Sequence, residues 1–289
     1  MERLSEIQAR IKNLTELADV VGAMRSLAAV RVQQAHGALP AILKYTAVVE
    51  KALADAFALG SPAAVPSSAA VAGSSSAVIV FSSEQGFVGA FNEHVLERAA
   101  THISEPGDLL LVVGARGASL AGERHLAVAW KVSMATQGGG VVDVARNLAR
   151  EVYRRAASGE LRRVTLVYAR SAGGAASDVM VSTLLPFDPT PYQSTAAGAG
   201  PPPLTNLPPR ELIDKLVDEL VLAELMRAAM ESFASENGAR LATMEAAHTS
   251  IAKKLDELSQ DERRRRQDEI TTELLDIVTG AEAVAGEAG

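Results

Sequence analysis

Apolar residues recur at alternating three- and four-residue spacing along the first part of the chain. The stripe comprises Leu4, Ile7, Ile11, Leu14, Ala18, Val21, Ala28, Val32 and Ala35. It is broken once, at Arg25, and otherwise has the heptad spacing of a helix that packs along another helix. Pro40 predicts either a kink or the start of a second helix that ends near Leu59. The pattern therefore predicts a helical segment over residues 1–59, far longer than the average globular helix of about 11–12 residues.

The middle of the chain changes to short apolar runs of strand length. These runs are AVIVF (77–81), DLLLVVG (108–114), LAVAWKV (126–132), RVTLVYA (163–169) and DVMVSTLLPF (178–187). Helix-like pieces lie between them at 92–100, 115–121 and 141–157. Strands that alternate with helices indicate an α/β unit with a largely parallel sheet. The last two runs leave room only for a hairpin loop at 170–177, which predicts one antiparallel strand at the edge.

Two stretches rich in proline, glycine, serine and alanine, 60–76 and 188–209, are typical of linkers. From Arg210 to about Val284 the chain has no proline and a helical pattern. Its heptad positions are Leu241, Met244, His248, Ile251, Leu255 and Leu258. The predicted fold is therefore α/β: the helices of segments 1–59 and 210–284 form a long antiparallel coiled coil, and a Rossmann-like domain, 77–188, is inserted between them.

The stretch SQDERRRRQDE, residues 259–269, interrupts the apolar stripe of the C-terminal helix. The stripe resumes at Ile270, Leu274 and Ile277. Eleven consecutive polar residues surround a helix on every side, so this stretch offers its partner helix no apolar face. Two explanations remain open: the contact between the helices is local and polar there, or a surrounding shell of protein meets the helix with polar groups.

Composition removes several classes of function. The chain has 289 residues, a net charge of −7 and no cysteine. The acidic balance disfavours a nucleic-acid binder, and acidic residues flank the arginine run. The lack of cysteine excludes disulfides, thiolate nucleophiles and cysteine-ligated metals. The N-terminus lacks the apolar core of a signal peptide, and no run of 18 apolar residues predicts a membrane span.

No motif predicts catalysis, a cofactor or a metal. SSEQGFVGAFN (82–92) follows the first strand but has only Gly86 and Gly89, without the three-glycine dinucleotide fingerprint. GARG (114–117) lacks the lysine of a phosphate loop. We interpret these glycines as tight strand-to-helix turns. His248 lies on the apolar stripe without a cluster of ligands around it, and no nucleophile elbow is present.

Three separated segments together resemble one family, the gamma subunits of F-type rotary ATP synthases. The N-terminal segment IQARIKNLTELADVVGAMRSLAAVRVQQA (7–35) resembles the family's first helix. FSSEQGFVGAFN (81–92) is similar to its Thr-Ser-Asp-(Arg/Lys)-Gly-Leu-Cys-Gly-Gly-Leu-Asn motif, with Val88 in place of the cysteine. SENGARLATMEAA (235–247) and RQDEITTELLDIVTGAEA (266–283) resemble its two C-terminal motifs.

The resemblance implies a central-stalk rotor without an active site, nucleotide or cofactor of its own. In the family, the coiled coil turns inside a hexamer of alpha and beta subunits and couples transmembrane ion flow to ATP synthesis or hydrolysis. The implied partners are those two subunits, the epsilon subunit and the membrane c-ring. The implied location is peripheral, at the cytoplasmic face of the bacterial inner membrane.

The matched motifs also imply which residues contact the beta subunit. Met24 and Arg25 match a Met-Lys pair that faces an acidic lever of that subunit, and an arginine there can hold a carboxylate with two bonds. Arg266 and Gln267 match an Arg-Gln pair that contacts one of its loops. The full implied set is Met24, Arg25, Arg240, Arg266, Gln267, Thr271 and Glu273.

The chain departs from the family at Gly22, where lysine is usual, and at residues 260–263, where apolar residues and an asparagine are usual. These departures raise the hypothesis of the variant ATPase class that some bacteria carry beside their ordinary enzyme and that is thought to pump sodium ions. They leave the transported ion and the direction of turnover open. They also leave Arg263, Arg264 and Arg265 without a role beyond charge balance.

Two functions from other classes compete with the rotor. One is a nucleotide-binding α/β enzyme with coiled-coil arms for dimerisation, which predicts that the isolated chain binds a nucleotide. The other is a cytoskeletal coiled-coil scaffold, which predicts a homogeneous homo-oligomer.

Overall fold

The computed structural model describes residues 4–59, 73, 75–103, 105–173, 176–195 and 204–287. The helices are α1 (Leu4–Leu59), α2 (Phe91–Ala100), α3 (Ala115–Glu123), α4 (Val141–Ala157), α5 (Thr190–Thr195) and α6 (Pro209–Glu287). The strands are β1 (Ser75–Phe81), β2 (Leu109–Val113), β3 (Val128–Val132), β4 (Leu161–Gly173) and β5 (Ala176–Leu185). None of the described helices combines the length and the apolar composition needed to cross a membrane.

The chain divides into two compact parts, the sheet part and the helical part. The sheet part is Leu27–Ala242, and the helical part joins Met1–Ser26 to Thr243–Gly289. Because α1 and α6 contribute residues to both parts, the predicted segments 1–59, 77–188 and 210–284 describe the order of elements rather than separately packed bodies. That division into three domains stays a prediction.

The sheet part is built on five strands in the order β3-β2-β1-β4-β5. β1 pairs with β2 and with β4 in parallel, and β2 pairs with β3 in parallel. β5 runs antiparallel to β4 at the edge. This arrangement confirms the largely parallel sheet with one antiparallel edge strand that the apolar runs predicted.

Alternate residues of the strands feed two cores, one on each face of the sheet. On one face, Ile79 and Phe81 of β1 pack with α4, with the middle of α6 and with Ala35 of α1. On the other face, Val78 and Val80 pack with α2 and α3. Helices therefore cover both faces, as a parallel sheet requires.

The helical part contains the first stretch of α1 and the last stretch of α6. Gln8 Nε2 donates to Glu262 Oε1 at 2.9 Å, and Arg25 Nη1 lies 3.1 Å from Glu245 Oε2. The partner number falls as the α1 number rises, so the two helices run antiparallel. Val21, Met244 and Ile251 form the buried centre of the contact. The predicted antiparallel pairing is confirmed within this part.

The Gln8–Glu262 bond supports the first explanation of the polar stretch 259–269, a local polar contact between the helices. At this level the two helices meet through polar side chains. Asp261, Glu262 and Arg265 are partly covered, and Arg265 Nε lies 3.2 Å from Asp261 Oδ2. A polar contact between the helices is therefore present at Glu262.

Pro40 neither ends α1 nor begins a second helix, because the helix is assigned without interruption from Leu4 to Leu59. Proline removes one backbone donor and frees one carbonyl. Pro40 lies on an exposed side of α1, where water can satisfy that carbonyl. Burial of Val49, Leu53 and Phe57 against Ile213, Val217 and Leu220 of α6 holds the helix beyond the proline.

The predicted hairpin between the last two strands is confirmed, but its loop is shorter than the predicted 170–177. β4 continues to Gly173 and β5 begins at Ala176, so the ladder includes Arg170 opposite Asp178 and Ser171 opposite Ser177. Opposite charges across a pair of strands favour this continuation. The small residues indicated a loop but are equally able to pair.

Candidate partner-contact surfaces and the strand-end cluster

The outer end of α6, Arg266–Thr279, is exposed at every residue. It includes Arg266, Gln267, Thr271 and Glu273, four of the predicted contact residues. Thr271 Oγ1 donates to Gln267 O, which satisfies the hydroxyl within the helix. Arg266 forms no ion pair with the part of the chain that the structure describes. These four residues are therefore available to a partner.

The same outer end carries a large amount of exposed apolar surface. The residues are Ile270, Leu274, Leu275, Ile277 and Val278, whose exposed fractions lie between 51% and 68%. Isolated exposed apolar residues are ordinary, but five within nine positions of one helix form a patch that is typical of an interaction surface.

Met24 and Arg25 lie on α1, beside the buried centre of the helical part. Met24 is half-buried and packs against the cluster of Val21, Met244 and Ile251. Arg25 faces Glu245, and this ion pair is exposed to solvent. From Glu245 to Arg266 a helix rises about 32 Å, so the predicted residues form two separate surfaces rather than one.

Arg240 differs from all the other predicted contact residues because it is only 3% exposed. Its Nη2 lies 2.7 Å from Glu236 Oε1, one turn earlier on α6, and its Nη1 donates to Asn237 Oδ1 at 3.1 Å. Nε and Nη2 reach the main-chain oxygens of Gly86 and Gln85, at 3.4 Å and 3.3 Å. Its guanidinium is enclosed by its own chain, which leaves it no surface for the direct beta-subunit contact that the motif implied.

The strand-end loop, residues 82–90 between β1 and α2, is held by its own side chains. Asn92 Oδ1 accepts from Ser83 N at 2.9 Å, and Asn92 Nδ2 donates to Ser83 Oγ at 2.8 Å. Phe87 has a φ of 62° and is exposed. A positive φ is uncommon for a residue with a bulky side chain and is maintained only where the surroundings over-determine it.

Glu84 joins this loop to the ends of two other strands. Its Oε2 accepts from Ala115 N at 3.1 Å and from Met134 N at 2.7 Å. Ala115 is the first residue of α3, and a helix N-terminus attracts negative charge. A carboxylate of the chain itself therefore occupies the place at the carboxyl ends of the strands where α/β proteins commonly bind a phosphate.

The glycines of GARG permit close packing at this edge. A Cβ on Gly117 would lie 1.9 Å from Ser82 Oγ, and Gly114 has a φ of 106°. These two glycines therefore allow α3 to approach the end of β1, as the interpretation of tight turns predicted. Neither is needed to make room for a ligand.

Four charged groups from three elements meet around Arg240, and we call them the strand-end cluster: Arg31 of α1, Glu84 of the loop, and Glu236 and Arg240 of α6. Burial raises the pKa of Glu236, and Arg240 opposes that rise. Burial also lowers the pKa of Arg31, and the neighbouring Arg240 lowers it further. The cluster contains two groups of each sign, so the buried Glu236 and Arg240 have opposite charges nearby.

Within the described residues, no group of three or more histidine, aspartate or glutamate side chains is placed to hold a metal ion. His248, on the apolar stripe of α6, is half-buried.

Comparison with known proteins decides the family. A family model described as ATP synthase matches residues 3–284. The chain belongs to the ATP synthase family. Curated relatives of this ATP synthase family chain include the ATP synthase gamma chain of Anaeromyxobacter sp. (strain K), which is 29% identical over 98% of this chain and 100% of the relative. The gamma chain of Moorella thermoacetica is 25% identical over the same shares of the two chains.

Solved structures agree on the fold of this ATP synthase family chain. A chain of the OSCP/F1/c-ring part of Euglena gracilis mitochondrial ATP synthase, in rotational state 3, aligns with a TM-score of 0.65 and 17% identity. The alignment covers 98% of this chain and 95% of that one. The rotor of the same enzyme in rotational state 1 aligns with a TM-score of 0.63 and 15% identity, covering 92% and 98% of the two chains.

Three members of the strand-end cluster were not found from the sequence. Arg31 and Glu84 lie far from Arg240 in the sequence, and no spacing rule connects positions so far apart. Two signals were available: Glu236 lies four residues before Arg240 on a predicted helix, and Glu84 lies directly after an apolar strand and before a helix, which is where a functional side chain commonly lies.

Proposed function

We propose that this chain is the gamma subunit of an F-type ATP synthase, the central-stalk rotor that couples transmembrane ion flow to ATP synthesis or hydrolysis on the alpha/beta hexamer. The observation that carries the proposal is the match of curated gamma chains from end to end, over 98% of this chain and 100% of the relative. A shared domain in an unrelated protein would give a partial match.

The outer end of α6 supports the proposal in physical terms. A helix that is exposed on every side gains nothing from tertiary packing, and tertiary packing supplies most helical stability in proteins. Its five exposed apolar residues would lose contact with water inside a protein sleeve. A sleeve of alpha and beta subunits is the partner that the proposed function supplies.

The proposed partners are the alpha and beta subunits, the membrane c-ring and the epsilon subunit. The first three rest on the end-to-end gamma-chain match and on solved neighbours that come from F1 and c-ring assemblies. The epsilon subunit rests on the sequence motifs alone. The proposed location is peripheral, on the cytoplasmic face of the bacterial inner membrane.

Two finer proposals concern the fold and the class of enzyme. The strand order, with its reversal between β1 and β4, supports a Rossmann-like description of the α/β domain. The variant sodium-pumping class stays a prediction, because the relatives compared above are named only as ATP synthase gamma chains.

Native purification tests the proposed function. An affinity tag on this chain should recover alpha and beta subunits from membranes, with one copy of this chain for each hexamer. Recovery of the chain as a homo-oligomer, without ATPase subunits, would overturn the proposal. That outcome would favour the scaffold.

The nucleotide-binding enzyme is disfavoured by the position of Glu84. Its carboxylate already accepts the main-chain donors at the start of α3, so a phosphate would have to displace it. Calorimetric titration of the isolated chain with ATP and with NAD should therefore give no heat of binding. A saturable heat of binding for either nucleotide would restore the enzyme as a candidate.

A further inference from the structure

Helix α6 must be fixed to the sheet if a rotor subunit is to turn as one body. Most of the contact between α6 and the sheet is apolar, from residues such as Leu225, Ala229 and Phe233. Apolar contact is non-directional, so it resists separation better than it resists sliding. Directional bonds between α6 and the sheet are therefore the connections that would resist a twist.

One group of directional bonds between α6 and the sheet part lies at the ends of β1 and β4 and in the strand-end loop that follows β1. Ser232 Oγ donates to Phe81 O at 3.4 Å and accepts from Ala169 N at 3.3 Å, which are long bonds. Arg240 adds two further bonds of similar length, to the main-chain oxygens of Gln85 at 3.3 Å and Gly86 at 3.4 Å, so the clamp depends on their number rather than on any single short bond. Because the acceptors are main-chain oxygens, no flexible side chain of the loop takes part in these bonds.

The anchorage of Arg240 is rigid on its own side as well. Glu236 and Asn237 each hold one arm of the guanidinium, and Asn237 Nδ2 in turn donates to Phe233 O at 2.8 Å. The side chains of Arg240 and Glu236 are 4% and 5% exposed, so water does not compete for these bonds. Arg31 of α1 faces the same two residues.

We propose that Arg240 is a positioning residue that clamps helix α6 to the strand-end loop and so transmits twist between α6 and the sheet. It acts through the loop and touches no substrate. The inference rests on the proposed function, since twist matters only in a subunit that rotates. It assigns Arg240 a role inside the rotor in place of the implied beta-subunit contact.

The test is Arg240→Lys in the assembled enzyme. Lysine keeps the charge beside Glu236, but it lacks the planar fork that reaches Glu236, Asn237 and two main-chain oxygens together. Arg155→Lys is the matched control. Arg155 is a second buried arginine, and its ion-pair partners are Glu151, one turn earlier on α4, at 2.6 Å and Glu160 at 3.0 Å, neither of which lies on α6.

Two measurements separate the clamp from a merely structural role. Hydrogen exchange should show faster exchange of the amides of residues 84–89 in Arg240→Lys, by about 5–30-fold, and no such change in Arg155→Lys. In membrane vesicles, the ions pumped for each ATP hydrolysed should fall by about twofold or more in Arg240→Lys alone. A structural defect would instead lower pumping and hydrolysis together.

Each result bears on the proposal. Unchanged loop exchange, or an unchanged ratio of pumping to hydrolysis in Arg240→Lys, overturns the clamp. Equal losses in Arg240→Lys and Arg155→Lys also overturn it. The wild-type chain separates this inference from the proposed function: failure of the wild type to assemble with alpha and beta subunits defeats the proposed function, whereas assembly with normal coupling leaves only the clamp at issue.

Discussion

Helix α6 carries two sets of arginines with opposite surroundings. Arg240 is enclosed, and each arm of its guanidinium meets an acceptor of the chain itself. Arg263, Arg264 and Arg266 are exposed, about six to seven turns further along. The same side chain therefore specifies internal structure at one place and offers surface at the other, and composition alone does not distinguish the two.

The difference lies in what surrounds each stretch. The inner stretch of α6 faces the sheet on one side and α1 on another, so a charge there must find a partner. Among the residues that the structure describes, the outer stretch meets the beginning of α1 and is otherwise exposed. A charged group in solvent needs no partner, and exposed pairs add about 0–1 kcal/mol.

Removing the acidic partner of the buried Arg240 should have the largest effect on the free energy of unfolding. Glu236→Ala leaves the guanidinium of Arg240 buried without its carboxylate, and breaking a buried pair in this way costs about 3–5 kcal/mol. We expect the free energy of unfolding of the isolated chain to fall by that amount in urea denaturation. Glu269→Ala, an exposed acid of the same helix, is the control. Equal and small effects in the two variants would mean that burial does not separate the two stretches.

Two glycines of α3, Gly117 and Gly122, allow the effect of close packing on stability to be tested without a change of charge. Gly117→Ala places a methyl group against Ser82, and over-packing of this kind costs about 1–3 kcal/mol. Nothing lies within 4 Å of a Cβ at Gly122, on the same helix, so Gly122→Ala should stabilise the protein by about 0.5–1 kcal/mol. Thermal unfolding should shift in opposite directions for the two variants. A shift in the same direction would contradict the packing described at this edge.

Glu151 forms ion pairs with an exposed arginine, Arg154, and a buried one, Arg155. Its contribution to the free energy of unfolding should therefore depend on pH. Hydrogen bonds from Arg154 and Arg155 lower its pKa to about 2 from the ordinary 4.5. A lowered pKa stabilises the folded state above the ordinary value, and that contribution is lost as pH falls from about 4.5 towards 2. Glu151→Gln should therefore destabilise the protein at pH 7 but have little effect near pH 2. An equal loss at both pH values would contradict this prediction.

The smallest expected effect on stability is at the outer end of α6. Arg264→Ala and Arg266→Ala should each change the free energy of unfolding by less than about 0.5 kcal/mol, because both are exposed. In the assembled complex, Arg266→Ala should lower ATP turnover while Arg264→Ala should not, since only Arg266 belongs to the matched Arg-Gln pair. Circular dichroism checks the fold and an ATPase assay checks the contact. Equal turnover in both variants would remove the special role of Arg266.

Local patterns predicted most of the elements because periodicity is a local property. The helix predicted at 141–157 is observed as Val141–Ala157, and the five apolar runs are the five strands. The hairpin was predicted correctly, but its loop was drawn too long because small residues permit both a loop and a ladder. Pro40 left two alternatives because its sequence neighbourhood does not show which side of the helix is exposed.

The strand-end cluster required the fold. Arg31, Glu84 and Arg240 come from α1, a loop and α6, and only the packing of these elements brings them together. The matched stretch 235–247 included Arg240 but could not show whether its side chain turns inward or outward. The exposure of the outer end of α6 was easier to predict, because the interruption of its apolar stripe by polar residues already indicates that the helix leaves the packed core.

The carboxylate of Glu84 also affects how the protein responds to its chemical environment. Any anion that bound the folded state alone would stabilise it in proportion to the logarithm of that anion's concentration. Because Glu84 is covalently part of the chain, the donors at the start of α3 are occupied at every concentration of ATP, ADP or phosphate. We therefore expect the melting temperature of the isolated chain to be unchanged by added ATP, ADP or phosphate.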